Sequence, residues 1–223
     1  MHQKFSWVTE SSKVCPTLNI YKNRSEIRSD NRLDSEIPLR IAKAASTFGR
    51  LDQRVWKSHD LRLQTKLRVY KALVIPILLY ASETWCLYKN DIKLLDSFHM
   101  KCLRSILRLK WQDHVPNTEV LRRTKMLGIE AILMKTQMRW CGHVFRMADY
   151  RLPKAVLYSQ LASGKRKAGG QHLRYKDVLK RHLSACSIPF DQWEKHTQTR
   201  SAWRSTLSTA VNQFEEKIGR AHV

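Results

Sequence analysis

Three groupings of residues in this chain have the types and spacing that chemistry needs. In "MRWCGHVFRM", Cys141 and His143 sit two apart, flanked by Arg139, Trp140 and Arg146. In "SFHMKCLR", His99 and Cys102 sit three apart. In "SGKRKAGGQHLR", Lys165, Arg166 and Lys167 lie between glycines. The two Cys/His pairs raise the question of a metal. The arginines and lysines raise the question of a phosphate.

The metal question turns on helix geometry. Residues three apart share a helix face, so His99 and Cys102 are acceptable as a ligand pair. Residues two apart point roughly 200° from each other. Cys141 and His143 would therefore share a metal only if the helix broke at Gly142. The simpler reading takes Cys102 and Cys141 as small buried apolar residues, and no metal ligand is assigned. The five cysteines are widely spaced and form no C-x-x-C pair. That usage fits a reducing compartment and free thiols.

The phosphate question is better supported. Arg139, His143 and Arg146 are spaced four and three, so they share a helix face, with Lys135 one turn earlier. A basic stripe of this kind suits a helix laid along a phosphate backbone. No carboxylate lies within helical reach on that face, so His143 is read as structural or phosphate-contacting, and no catalytic residue is assigned. The glycine-flanked loop is not a P-loop, because Gly164-Lys165 is followed by Arg166 where that motif requires Ser or Thr. Its glycines still allow a phosphate to approach the backbone.

Charge points the same way. Forty-one Lys and Arg oppose 19 Asp and Glu, a formal +22. Such an excess repels itself but draws polyanions. The expected partners are RNA and/or DNA, contacted mainly through phosphates, ahead of an anionic membrane surface. Seven Trp and seven Tyr offer stacking surfaces for unpaired bases, although Trp85, Trp140 and Trp203 sit on apolar faces and are expected to pack. Phosphoryl-transfer enzymes hold paired metals with clustered acids, and no Asp-Asp pair occurs here.

The elements that must position these residues read as helices. Hydrophobic content is 43%, Gly and Pro number only 7 and 6, and apolar residues recur every three or four positions. The expected fold class is all-α: a helical, thumb-like bundle over 36–110, then a helical extension over 111–217. Residues 1–35 are expected to be weakly ordered. "SEIPLRIAKAASTFGRLDQRVW" predicts a helix with Ser35 as N-cap. "LRLQTKLRVYKALVIPILLYASETW" predicts a second, kinked or broken near Pro76, whose ring clashes with the Ala72 carbonyl. "NDIKLLDSFHMKCLRSILRLKW" is the clearest amphipathic segment, with Ile92, Leu95, Phe98, Cys102, Ile106 and Leu109 on its apolar stripe. A turn at "DHVPN", a short helix near Thr118–Lys125, and a helix carrying Met134, Met138, Cys141, Phe145 and Ala148 follow. Then come a short helix after Pro153, the glycine-flanked loop, and one helix from Asp191 onward with Trp193, Trp203, Leu207, Val211 and Phe214. The start of the chain shows no signal-peptide core. The longest apolar run, "ALVIPILLYA", is far short of the ~20 residues a membrane span needs. The expectation is a soluble intracellular protein with no membrane partner.

Six segments occur in an order that resembles one known family. They are "RIAKAASTFGRL", "TKLRVYKALVIPILLYASETW", "FHMKCLRSILRLKWQDHVPNTEVLRRT", "MRWCGHVFRM" with "RLPKAVLY", "GKRKAGGQHLRYKD" and "WEKHTQTRSAWR". Together, over about Glu36 to Arg204, they resemble the C-terminal region of endonuclease–reverse transcriptases of non-LTR, LINE-type retrotransposons. In that family an endonuclease precedes fingers and a palm with a Y/F-x-D-D motif. The resemblance lies after the palm, in the helical thumb and the extension, which hold template and product. It implies a nucleic-acid-binding piece of an RNA-directed DNA polymerase, acting in the nucleus or a cytoplasmic ribonucleoprotein. The parent's Mg2+ and catalytic aspartates belong to the palm, so no cofactor is assigned here. The palm itself is the implied protein partner. Trp140, Gly142, His143, Arg146 and Met147 form the "W-x-G-H-x-x-R-M" segment of the extension. The alternatives are a truncated record of an active enzyme, or a remnant without function. The terminal "KIGRAHV" matches what a common sequencing adapter encodes, so 218–223 are read as a scar. The residues expected to contact phosphates are Lys66, Arg68, Lys71, Lys101, Arg104, Arg108, Arg139, His143, Arg146, Lys165, Arg166 and Lys167.

Overall fold

Apolar spacing of three and four residues is realised as helix throughout the parts of the chain described by the structure, a computed structural model covering residues 35–159 and 173–221. The helices are α1 (Glu36–Arg50), α2 (Leu63–Val69), α3 (Ile75–Leu78), α4 (Lys89–Leu107), α5 (Asn117–Thr124), α6 (Ile129–Phe145), α7 (Leu152–Tyr158), α8 (Tyr175–Ala185), α9 (Trp193–Thr197) and α10 (Arg200–Ala221). No strand occurs among the described residues, and the fold is all-α. No helix among them is long and apolar enough to cross a membrane. Residues 1–34, with Cys15 and the expected weakly ordered segment, lie outside the described residues. So does most of the glycine-flanked loop. α10 runs on to Ala221, into the stretch read as a scar.

The second helical segment does not break at Pro76 itself; it widens just before it and continues to Leu78. Tyr70–Val74 form a π turn, and the Ile75 N–H donates to the Tyr70 carbonyl five residues back. The extra residue in that turn accommodates a ring that has no N–H to give. The helix stops at Leu78, and Ala81 takes a left-handed φ of 61° before a short turn at Ser82–Thr84. Ser35 stands at the start of α1 but makes no side-chain cap.

The α4 stripe is core. Leu95, Cys102 and Ile106 are buried, with Ile92, Phe98 and Leu109 packed at its margin. His99 shares that interior, fully buried, with Nδ1 2.8 Å from the Tyr70 hydroxyl and Nε2 3.2 Å from the Leu127 carbonyl. The carbonyl can only accept, so Nε2 carries the proton and Nδ1 accepts from Tyr70. Both ring nitrogens of His99 are thereby engaged within the core.

Two cores meet inside α6. The first gathers Ile37, Trp56, Tyr70, Val74, Leu95, Leu103, Ile129 and Leu133. The second gathers Met134, Met138, Cys141, Leu183, Trp203, Leu207 and Val211. α6 contributes to both, through Ile129 and Leu133 to the first and through Met134, Met138 and Cys141 to the second. Gln137 ties the parts together. Its Nε2 donates to the carbonyls of Ser82 (3.0 Å) and Trp85 (2.9 Å), and its Oε1 lies 2.8 Å from Nε2 of the buried His182 on α8.

The chain after 173 departs from expectation in two ways. α8 was not expected; it buries Val178, Leu179, His182 and Leu183. The single helix from Asp191 onward is instead two. α9 ends where Thr197 Oγ1 turns back to the Glu194 carbonyl, and α10 restarts with the Trp203 N–H on the Thr199 carbonyl.

Candidate nucleic-acid interface

α6 runs unbroken through Gly142, so Cys141 and His143 leave the helix in opposite senses. Cys141 is fully buried, its Sγ 3.2 Å from the Tyr175 hydroxyl, and burial pushes its thiol up to about 12. His143 is exposed. α10 lies directly against Gly142: a Cβ there would fall 2.6 Å from Cδ1 of Trp203. That indole is buried, and its Nε1 donates to the Met138 carbonyl at 3.1 Å. The missing side chain at Gly142 is what lets α10 lie down on α6.

This contact sets the geometry of a cleft. Arg139, His143 and Arg146 from α6 and its end face Arg200 and Arg204 from the first turns of α10 across a cavity of about 400 Å³. Trp140, Thr136, Trp203 and Glu83 complete the lining. Arg146 is held in place: its Nη1 donates to the Thr197 carbonyl at 2.6 Å. Burial and the nearby charges of Arg200 and Arg204 lower its pKa, the sign expected for like charges gathered without enough acid. The side chains of Arg139, His143, Arg200 and Arg204 make no hydrogen bond or ion pair among the described residues. Four guanidiniums thus face one carboxylate in a concave site, where field lines concentrate. Trp140 is half-buried, edge-on to Tyr175 with ring centroids 5.4 Å apart, so it packs on one side and borders the cleft on the other.

The remaining expected phosphate contacts are dispersed. Arg68, Lys71 and Lys101 are exposed on α2, the π turn and α4. Arg104 is partly committed, its Nη2 donating to the Val115 carbonyl (3.0 Å) and Asn117 Oδ1 (2.7 Å). Arg108, in a left-handed conformation at φ 58°, reaches the Lys57 carbonyl at 2.9 Å. Both brace loops. Lys66 is a correction: only 6% exposed, its ammonium donates to the carbonyls of Trp56 (2.9 Å) and Ser58 (2.7 Å). It anchors the 56–58 turn, and its ammonium is taken up by these two carbonyls. Lys165, Arg166 and Lys167 lie outside the described residues.

Arg200 and Arg204 were missed in the sequence. The signal was present in "TRSAWR": two arginines four apart share a helix face, and Trp203 between them marks the buried side. Trp111 was missed too. It is 79% exposed, on a turn between Leu109 and His114, with the His114 ring edge-on at 6.3 Å. Among the described residues no group of three or more His, Cys, Asp or Glu is placed to hold a metal ion. No protein family, curated protein or solved structure matches the chain.

Proposed function

We propose that this chain is a nucleic-acid-binding module, the thumb and extension of a LINE-type retrotransposon reverse transcriptase, and that it grips RNA or DNA by phosphate. The observation that carries the binding claim is the cleft in which Arg139, His143, Arg146, Arg200 and Arg204 converge. The order of the six sequence segments supports the parentage. Arginine suits the task because its planar fork of donors matches phosphate oxygens. Arg68, Lys71 and Lys101 extend the positive surface beyond the cleft. Trp111 offers a stacking face for an unpaired base. The parent's Mg2+ belongs to the palm, so no residue here is assigned to it. Leu73 and Tyr80, 45% and 46% exposed, leave apolar surface of the kind a palm would cover. The activity belongs to a nuclear or cytoplasmic ribonucleoprotein.

The test is equilibrium binding of the full chain to labelled single-stranded RNA, single-stranded DNA and duplex DNA over a range of salt. The reading expects affinity to fall linearly on a log–log plot, by about 0.7 per phosphate contacted on a single strand. Affinity that does not respond to salt rules it out.

A further inference from the structure

We propose that the α6–α10 cleft receives a terminal phosphate, the phosphomonoester at the end of a nucleic-acid strand. This rests on the nucleic-acid reading above and names what that site takes.

The arrangement is convergent. A surface that tracks a backbone spreads its cations along a line. Here Arg139 and Arg146 on one helix, and Arg200 and Arg204 on another, face the same cavity of about 400 Å³. That volume is in the range of small-ligand sites, roughly 300–1,000 Å³, and gives room for about one nucleotide.

The charge calls for a dianion. A mid-strand diester carries one negative charge and two free oxygens. A monoester carries about −1.5 to −2 near neutral pH and three strong acceptor oxygens. Four guanidiniums facing only Glu83 have donors and charge beyond what one diester can use. The third oxygen and second charge occupy that surplus.

The site is also built before any ligand arrives. Arg146 is fixed on the Thr197 carbonyl at 2.6 Å. The separation of α6 and α10 is fixed by Trp203 lying on Gly142 and bonded to the Met138 carbonyl. The arginines therefore cannot relieve their repulsion by moving the helices apart, and a dianion relieves it for them. Trp140 at the edge of the cleft is placed to meet the terminal base.

The experiment compares one single-stranded oligonucleotide in two forms, 5′-phosphorylated and 5′-hydroxyl, binding the full chain at fixed salt. The phosphorylated form is expected to bind about tenfold tighter, the effect of one further charge-assisted contact. Inorganic phosphate is expected to compete the preference away. Arg200→Gln with Arg204→Gln is expected to erase the difference between the two forms; both side chains are exposed, and a thermal melt confirms folding. Arg139→Gln serves as an independent second variant with the same expectation. Equal affinity of the two forms for the unaltered chain overturns this inference and leaves the nucleic-acid reading standing. A preference that survives both variants also overturns it, by placing the end group elsewhere. Failure of both forms to bind overturns the two proposals together.

Discussion

Gly142 and Trp203 lie in direct contact, the bare backbone of α6 against the buried indole of α10, 61 positions apart in the chain. Every arginine of the cleft is placed relative to this contact: Arg139 and Arg146 flank the glycine, and Arg200 and Arg204 flank the tryptophan. The "W-x-G-H-x-x-R-M" segment therefore combines a packing requirement and a charge pattern in one short stretch.

The packing requirement is testable alone. In Gly142→Ala the new methyl would overlap Trp203 Cδ1, which would lie 2.6 Å away. The indole is enclosed and hydrogen-bonded, so it cannot swing aside without loss. Overpacking of this kind costs about 1–3 kcal/mol, more than Ala's better helix propensity returns. Urea unfolding should show a lower midpoint. A midpoint equal to or above that of the parent would mean α10 does not lie on Gly142.

Gln137 makes a second structural prediction. In Gln137→Leu the carbonyls of Ser82 and Trp85 and the ring N–H of His182 lose their shared partner inside the core. Each stranded buried group costs about 1–3 kcal/mol, so a total loss of about 3 kcal/mol is expected from denaturant curves. A loss under about 0.5 kcal/mol, the size of an ordinary surface change, would show that the network is not formed.

Much of this was legible in the sequence, and the failures have physical causes. The α4 stripe and the α6 stripe from Met134 to Phe145 were readable because each holds its spacing over several turns; Ala148 was not, since α6 ends at Phe145 and leaves it exposed. Pro76 was readable because a missing N–H acts locally. Lys66 was misread because periodicity shows that a lysine lies beside a stripe, not that two carbonyls from another turn wait for its ammonium. α8 was missed because its short apolar run is interleaved with Lys180 and Arg181. Arg200 and Arg204 were missed because pairing them with Arg139 and Arg146 requires knowing how α10 crosses α6, and that depends on the absence of a side chain at Gly142.

Acid should destabilise the fold through its buried histidines. Burial lowers the pKa of both His99 and His182 to about 4, from an ordinary 6.5. Between those values the unfolded chain binds protons that the folded chain refuses, so stability falls as pH drops from about 6.5 toward 4. The slope is up to about 1.4 kcal/mol per pH unit per histidine. Denaturation midpoints measured at neutral pH and near pH 5 should show the decline. A flat profile over that interval would contradict the burial of both rings.

The central claim is that the α6–α10 cleft holds phosphate. It is tested most directly by the salt dependence of single-stranded RNA binding, measured for the parent chain and for the triple variant Arg139→Gln, Arg200→Gln, Arg204→Gln. These three side chains have no partner among the described residues, so the fold should survive their loss. Weaker binding is expected, with a log–log slope flatter by about 0.7 to 1.4 units, the counterions released by one phosphate of one to two charges. An unchanged slope and affinity would place the phosphates elsewhere on the molecule.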